Sequence, residues 1–421
     1  MSQLFINAGF QKTEKPSEAE VLIVNTCGFI RPAIEESLQE LEYISSEKQN
    51  GQIVIAAGCL TQRFGKLVTE QLPGIDGVIG TRQWMDIVYL VERLRTRNEP
   101  NPLYYLPETP LEGEEERGVQ RVAIQGTSAY LKIADGCNHP CAFCTIPLIK
   151  GDAISRPLNK ILDEARSLED AGMREIILIA QDTTAYGRDL GSKDDLAKLL
   201  DQLVNTVSSV KWIRVLYMFP GSITDRLIHV MATYPQIIPY LDMPLQHSHP
   251  SILRRMGRPT NINWIYKTIH KMRTAMPDLA LRTTFIVGYP GETEEEFQDL
   301  LDFIKAIRFD RVGAFHFSSE TGTKSEALGD PIPKQVKEER YDRLMRLQQA
   351  ISLEKNLTFV GKVMEVLVEG QGEGISIGRT YRDAPEIDGL VIVEGPLPIG
   401  EMLPVRITGA STYDLTGSLE R

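Results

Sequence analysis

Between Tyr130 and Ser319 the sequence alternates six times between a short apolar run and a stretch with helical spacing. The runs are AYLKIA, EIILIAQD, IRVLYMF, YLDMPLQ, LALRTTFIVG and RVGAFHF, and the helical stretches fall near 158–171, 193–206, 222–233, 249–256 and 294–307. Parallel strands need a crossover that covers the sheet, so strands alternating with such helices imply parallel βαβ units. Six units predict an incomplete barrel with its mouth at the C-terminal ends of the strands. Side chains at or just past those ends are expected to face a reaction: Gln181, Asp182, Tyr217, Phe219, Gln246, His247, Gly288 to Glu292, His316 and Ser318. Gln246 and His247 could equally be satisfied polar groups of the core.

The first of these strands runs directly into DGCNHPCAFC, Asp135 to Cys144, which sets Cys137, Cys141 and Cys144 at C-x3-C-x2-C. Structural zinc takes four ligands and gathers paired cysteines. No second pair stands nearby, and His139 lies inside the loop rather than beyond it. Disulfides do not fit an odd set of five cysteines in a chain without a secretory signal or membrane segment. Three thiolates at this spacing can instead hold three irons of a four-iron cluster and leave the fourth iron open.

The motif Cys137, Cys141, Phe143, Cys144 resembles the signature of the radical S-adenosylmethionine (SAM) enzymes. That resemblance implies a [4Fe-4S] cluster on Cys137, Cys141 and Cys144, SAM bound at the open iron, and one-electron cleavage of SAM to a 5'-deoxyadenosyl radical. It also implies a partial (β/α)6 barrel, in agreement with the alternation. In the family, the stretch matching TTFIVGYPGE packs on the adenine and ribose of SAM. Ile286 and Gly288 are therefore expected there, with Phe143 near the adenine and Gln181 and Gln246 as further cofactor-binding positions. The glycines of that stretch permit close backbone approach to a ligand.

Ahead of the barrel, VLIVNTCGF and QIVIAAGCL each read as an apolar strand ending at a cysteine, Cys27 and Cys59, with a helical pattern over Pro32 to Ile44 between them. A third run, GIDGVIG, leads to a helix at about Met85 to Arg97. This predicts an α/β domain with a parallel sheet. Strand C-terminal ends are where open α/β sheets gather ligands, although two buried structural thiols would look the same. NTCGFI and AAGCL are similar to the amino-terminal domain of the methylthiotransferases, radical SAM enzymes with a second [4Fe-4S] cluster on three cysteines. Cys27 and Cys59 match the second and third of these. The first, near the end of an opening strand in the family, would precede Met1, and two thiolates alone would hold that auxiliary cluster weakly.

Residues 99–122 combine prolines with an acidic run and read as a linker with a solvated charged face. After the barrel, PKQVKEERYDRLMRLQQAISLEKNL predicts a long helix with Val336, Leu344, Leu347 and Ile351 at helical spacing, suited to coupling two domains. Short strand patterns separated by glycine-rich turns then predict a five-stranded barrel, similar to the TRAM domain of the methylthiotransferases. The expected division is a methylthiotransferase domain over 1–98, the linker, the radical SAM barrel with its trailing helix over 123–355, and the small barrel over 356–421.

With 46 basic against 57 acidic residues, and ten acidic against five basic from Asn356 onward, the chain does not invite a nucleic-acid backbone. LKIADGCNHPCAFCTIPLIKG, VLYMFPGSIT and YLDMPLQHSHPSILRRMGRPT are similar to the methylthiotransferases that modify the twelfth protein of the small ribosomal subunit. The tRNA branch typically reads P-V-Q-S-G-S where this chain has Pro244 to Ser248. The resemblance implies methylthiolation of an aspartate β-carbon with two SAM molecules. The partners implied are that ribosomal protein or the assembled small subunit, an electron donor and a sulfur source, in the cytoplasm and without a membrane or a nucleic-acid substrate. A tRNA-adenosine methylthiotransferase and a non-catalytic ribosome- or RNA-binding module are the competing readings.

Overall fold

A computed structural model describes residues 1–96, 102–108, 124–192 and 194–420. After a short opening helix, Ser2–Asn7, four parallel strands run in chain order across one sheet: β1 (Val21–Thr26), β2 (Ile53–Gly58), β3 (Gly77–Ile79) and β4 (Leu103–Tyr105). The helices Arg31–Ser46, Cys59–Gln71 and Ile87–Thr96 connect or cover them. β4 corrects the expectation of a linker over 99–122. Leu103 is buried and pairs with Gly77, so this stretch completes the sheet edge. The acidic run from 109 to 123 lies outside the described residues.

Six parallel strands build the second unit: β5 (Ser128–Lys132), β6 (Glu175–Ile179), β7 (Trp212–Val215), β8 (Tyr240–Asp242), β9 (Ala280–Val287) and β10 (Arg311–His316). β5, β6 and β7 are joined in register, as are β8, β9 and β10, and a bridge from Ile213 to Ile237 links the two halves. The outer edge of β5 takes a short antiparallel strand, Ile124–Gln125, so the barrel stays open. Its core packs Ile176, Leu178, Ile213, Leu241, Phe285 and Val287 against helices such as Leu158–Asp170 and Glu294–Ile307. The helix Ile262–Ala275 was not anticipated from the sequence. It follows the short helix Pro250–Arg255 and starts where the Asn261 side chain accepts from Trp264 N at 3.0 Å.

The long helix Lys334–Leu357 forms as expected, but its buried stripe is largely polar: Lys337, Arg340, Gln348, Ser352 and Asn356 accompany Leu344 and Ile351. Each of these residues makes at least one hydrogen bond to the barrel or its neighbour, while Arg340 Nε, Gln348 Oε1 and Asn356 Oδ1 are left without a hydrogen-bond partner. Gln348 donates to Phe309 O at 2.9 Å, and Asn356 donates to Ser411 O at 3.1 Å.

The chain ends in a closed five-stranded barrel, β11 (Val363–Gly372), β12 (Ile375–Arg379), β13 (Val391–Glu394), β14 (Met402–Ala410) and β15 (Leu415–Leu419), ordered β11-β12-β13-β15-β14. This barrel plugs the end of the six-stranded unit opposite its mouth. Leu367 and Ala384 share an apolar cluster with Ile177, Trp212 and Tyr240, and Arg379 reaches Glu175 at the start of β6. No described helix is long and apolar enough to cross a membrane.

Candidate active site

The loop after β5 folds back on itself through main-chain bonds. Cys137 N donates to Gly151 O at 3.1 Å, and Ala142 N donates to Met256 O at 2.8 Å. These ties turn Cys137, Cys141 and Cys144 toward one cavity of about 500 Å³ at the mouth, lined also by Phe29, His139, Phe143, Gln181, Tyr217, Phe219, Gln246 and Arg258. A larger hollow of about 800 Å³, beside β1 and the opening helix, contains no cysteine. Burial pushes the Cys144 thiol up to about 12 and also raises Cys137. Without a cation to bind, these sulfurs hold their protons.

The residues fit an iron–sulfur cluster better than one zinc ion. Zinc would gather its sulfurs about 2.3 Å from a single point, and no group of three His, Cys, Asp or Glu side chains among the described residues is arranged to hold a metal ion. Three thiols around a cavity of this size suit a body with several metal atoms, each taking one sulfur. Gln181 Oε1 and Arg258 Nε are buried without hydrogen-bond partners, so the cavity wall keeps polar capacity for an occupant.

Two wall residues occupy the left-handed backbone region that ordinary side chains avoid, Tyr217 at φ 60° and Gln246 at φ 73°. Surrounding bonds over-determine both: Tyr217 N donates to Asp242 Oδ2 at 3.0 Å, and Gln246 N donates to Thr284 O at 2.8 Å. Such strain, about 1–3 kcal/mol per residue, concentrates at ligand sites.

Of the residues expected at strand ends, Gln181, Tyr217, Phe219 and Gln246 line the cavity. Asp182 accepts from its own turn and lies 2.6 Å from His139 Nε2. His247 belongs to the core: it is fully buried, 3.1 Å from Glu292. His316 packs edge-on against Tyr341, and Ser318 donates to Glu320 at 2.9 Å.

Two of the expected cofactor positions stand beside the cavity rather than in its lining. Ile286 packs with Phe143 against Tyr289 and Phe317 rather than lining the cavity. Gly288 adopts φ 73°, but the space beside it is filled by Lys337 Cγ, 2.4 Å from where a Cβ would sit. The trailing helix therefore requires glycine at this position. Arg258 and Phe29, both in the wall, were not singled out by sequence reasoning. An arginine after a helix and a phenylalanine after a cysteine carry no distinguishing local signal.

The amino-terminal sheet sits over this mouth. Register places Thr26 opposite Gly58, so Cys27 and Cys59 leave β1 and β2 side by side. Gly28 lets the two ends touch, since a Cβ there would lie 2.6 Å from the backbone of Leu60. Cys59 opens the helix Cys59–Gln71, whose N-terminal end favours a thiolate. Burial nevertheless raises the Cys59 thiol, with the Lys150 ammonium opposing the shift and Cys27 adding to it. Arg63, on the same helix, donates to Gly28 O and to Thr321 O at 2.6 Å, while Arg31 N donates to Glu320 Oε1 at 3.0 Å. Thr145, just past Cys144, donates to Phe29 O at 3.3 Å. Between the two cysteine groups lies Asp135. Burial alone would raise its carboxyl, but Lys132 at 2.6 Å and Lys150 at 2.9 Å hold it well below the usual range.

Comparison with known proteins places this architecture. Residues 131–304 match the radical SAM superfamily, 360–419 the TRAM domain, and 1–80 an uncharacterized family designated UPF0004. A ribosomal protein uS12 methylthiotransferase RimO of Chloroflexus aurantiacus is 48% identical over 99% of this chain and 95% of its own length. The chain belongs to the RimO family. RimO proteins of Roseiflexus sp. and Synechocystis sp. are 45% and 41% identical, covering 100% and 99% of this chain and 93% of each relative. The RimO family thus accounts for all three units together. Among solved structures, the radical SAM methyltransferase TsrM of Kitasatospora setae, with cobalamin and a [4Fe-4S] cluster bound, superposes with a TM-score of 0.56. It is 12% identical and covers 85% of this chain and 72% of its own, a likeness of fold.

Proposed function

We propose that this chain methylthiolates the β-carbon of an aspartate in ribosomal protein uS12, in the cytoplasm, as a radical SAM enzyme. The carrying observation is that Cys137, Cys141 and Cys144 line one cavity beneath a docked domain that presents Cys27 and Cys59 side by side. In this reading Cys137, Cys141 and Cys144 hold the cluster that binds SAM, and Cys27 and Cys59 contribute to the auxiliary cluster. When bound, these groups would supply what no side chain can, a carbon radical able to take hydrogen from an unactivated carbon, and a place to carry the sulfur that is transferred.

The chain's own residues bind, orient and shield. Phe143, Tyr217, Phe219 and Phe29 give the cavity an apolar wall that excludes water from a reactive species. Gln181 and Gln246 offer amide groups for the polar parts of SAM, with Gln181 Oε1 as yet unpartnered. Helix Cys59–Gln71, tied to the mouth by Arg63, holds Cys59 beside Cys27 over the three-cysteine cavity. The reading keeps β4 with the amino-terminal sheet and divides the domains near 122 and 355.

The choice of a protein substrate over tRNA is supported by the terminal barrel. Arg379 and Arg382 are buried in pairs with Glu175 and Asp310, and Arg406 pairs with Glu420. With Arg379 and Arg382 withdrawn from the surface and Arg406 neutralised by Glu420, the exposed charge favours a basic protein over a phosphate backbone. Anaerobically reconstituted protein should carry four irons at the barrel site and, with reductant and SAM, form 5'-deoxyadenosine and add a thiomethyl group to uS12. Bound zinc, or modification of tRNA instead of uS12, would sink this reading.

A further inference from the structure

Arg258 is 8% exposed, and among the described residues no carboxylate lies within ion-pair distance of it. Its Nη1 is 3.7 Å from Cys141 Sγ and its Nη2 donates to Pro244 O, while Nε has no partner. The guanidinium stacks on Phe219, 4.2 Å from the ring centroid, and Phe219 stacks on His139 at 3.4 Å. His139 is fixed in turn by Asp182 at 2.6 Å. A desolvated guanidinium without an opposite charge is costly, so a site that holds one rigidly needs an anion. The nearest group able to become an anion is the Cys141 thiol of the three-cysteine loop, 3.7 Å from Nη1, which gives up its proton when it takes a metal.

We propose that Arg258 is the counter-charge of the three-cysteine site, a positioning residue that sets the reduction potential of the cluster held there. The inference rests on reading that site as an iron–sulfur centre. One-electron reduction adds one negative charge to the cluster and its thiolates, the electron coming from an external reductant. A fixed cation beside one ligand sulfur therefore stabilises the reduced state more than the oxidised one. The Phe219–His139–Asp182 stack keeps the guanidinium against Cys141 rather than in the open cavity.

The test compares wild type with Arg258→Lys, Arg258→Gln and Arg258→Met after anaerobic reconstitution, measuring iron and sulfide content and titrating the cluster with dithionite by electron paramagnetic resonance. Removing the charge in the Gln and Met variants should lower the ratio of reduced to oxidised cluster at a fixed potential by roughly tenfold, 59 mV for one electron. The Lys variant should stay near wild type. If Gln and Met take up no cluster while Lys fills normally, retention has followed charge and the proposal stands. It is overturned if Gln and Met keep the wild-type potential, if Lys falls as far as Met, or if all three variants stay empty. Wild type without four irons at the barrel site would instead remove the cluster reading, leaving a distinguishable result.

Discussion

Arg379 of the terminal barrel and Glu175 of the six-stranded unit form an ion pair at 2.7 Å in which neither side chain is more than 1% exposed. Arg214 approaches the same carboxylate at 2.7 Å, and Ser128 donates to it at 2.9 Å. The carboxylate is thus shared by two domains. Glu175→Gln leaves two buried guanidiniums short of a charge and should cost about 3–5 kcal/mol, read from urea unfolding. A loss under 1 kcal/mol would show that the pair is not needed for docking.

The same carboxylate gives a pH dependence. Burial would raise Glu175, but Arg214 and Arg379 outweigh that and hold it below its ordinary value of 4.5. A lowered folded value means that the stabilisation is complete above about pH 4.5 and is lost as pH falls through the folded value. Wild type should therefore lose stability in that acid window more steeply than Glu175→Gln; parallel curves would contradict this.

Arg63 ties the amino-terminal sheet to the mouth through Thr321 O and lies 3.8 Å from Glu320. Arg63→Ala should loosen this cover while leaving the three-cysteine loop intact. The expected outcome is more 5'-deoxyadenosine per thiomethylated uS12, by a factor of several, with SAM cleavage itself largely retained. An unchanged ratio would mean the docking is not set by Arg63.

The two cysteine groups should separate by substitution. Cys144→Ala is expected to abolish 5'-deoxyadenosine formation, whereas Cys59→Ala should spare cleavage without product and remove thiomethyl transfer. Equal loss of both activities in both variants would refute this division of labour.

Gly288→Ala places a Cβ 2.4 Å from Lys337 Cγ at a φ of 73°. It should destabilise the protein by about 1–3 kcal/mol through strain and displacement of Lys337, whose ammonium donates to Phe317 O at 2.9 Å. Thermal unfolding checks this, and a neutral substitution would show that the trailing helix can shift at little cost.

The local pattern alone determined the alternation of strands and helices, the five strands of the terminal barrel and the spacing of Cys137, Cys141 and Cys144, because periodicity and ligand spacing are properties of neighbours in the chain. It also indicated that Gln181, Tyr217, Phe219 and Gln246 would stand at strand ends. It could not separate Gln246 from His247: adjacent residues at the end of one strand differ only in which group, the open cavity or Glu292, each meets in space. Nor could it reveal that Lys337, Arg340 and Gln348 form a buried stripe, since their partners Phe317, Glu292 and Phe309 are 20, 48 and 39 residues away. The strained backbone at Tyr217 and Gln246, the seat of Arg258 beside Cys141 and the pairing of Arg379 with Glu175 were decided only by tertiary structure. Each depends on charge, space and hydrogen-bond partners brought together by distant segments, and no local pattern records these.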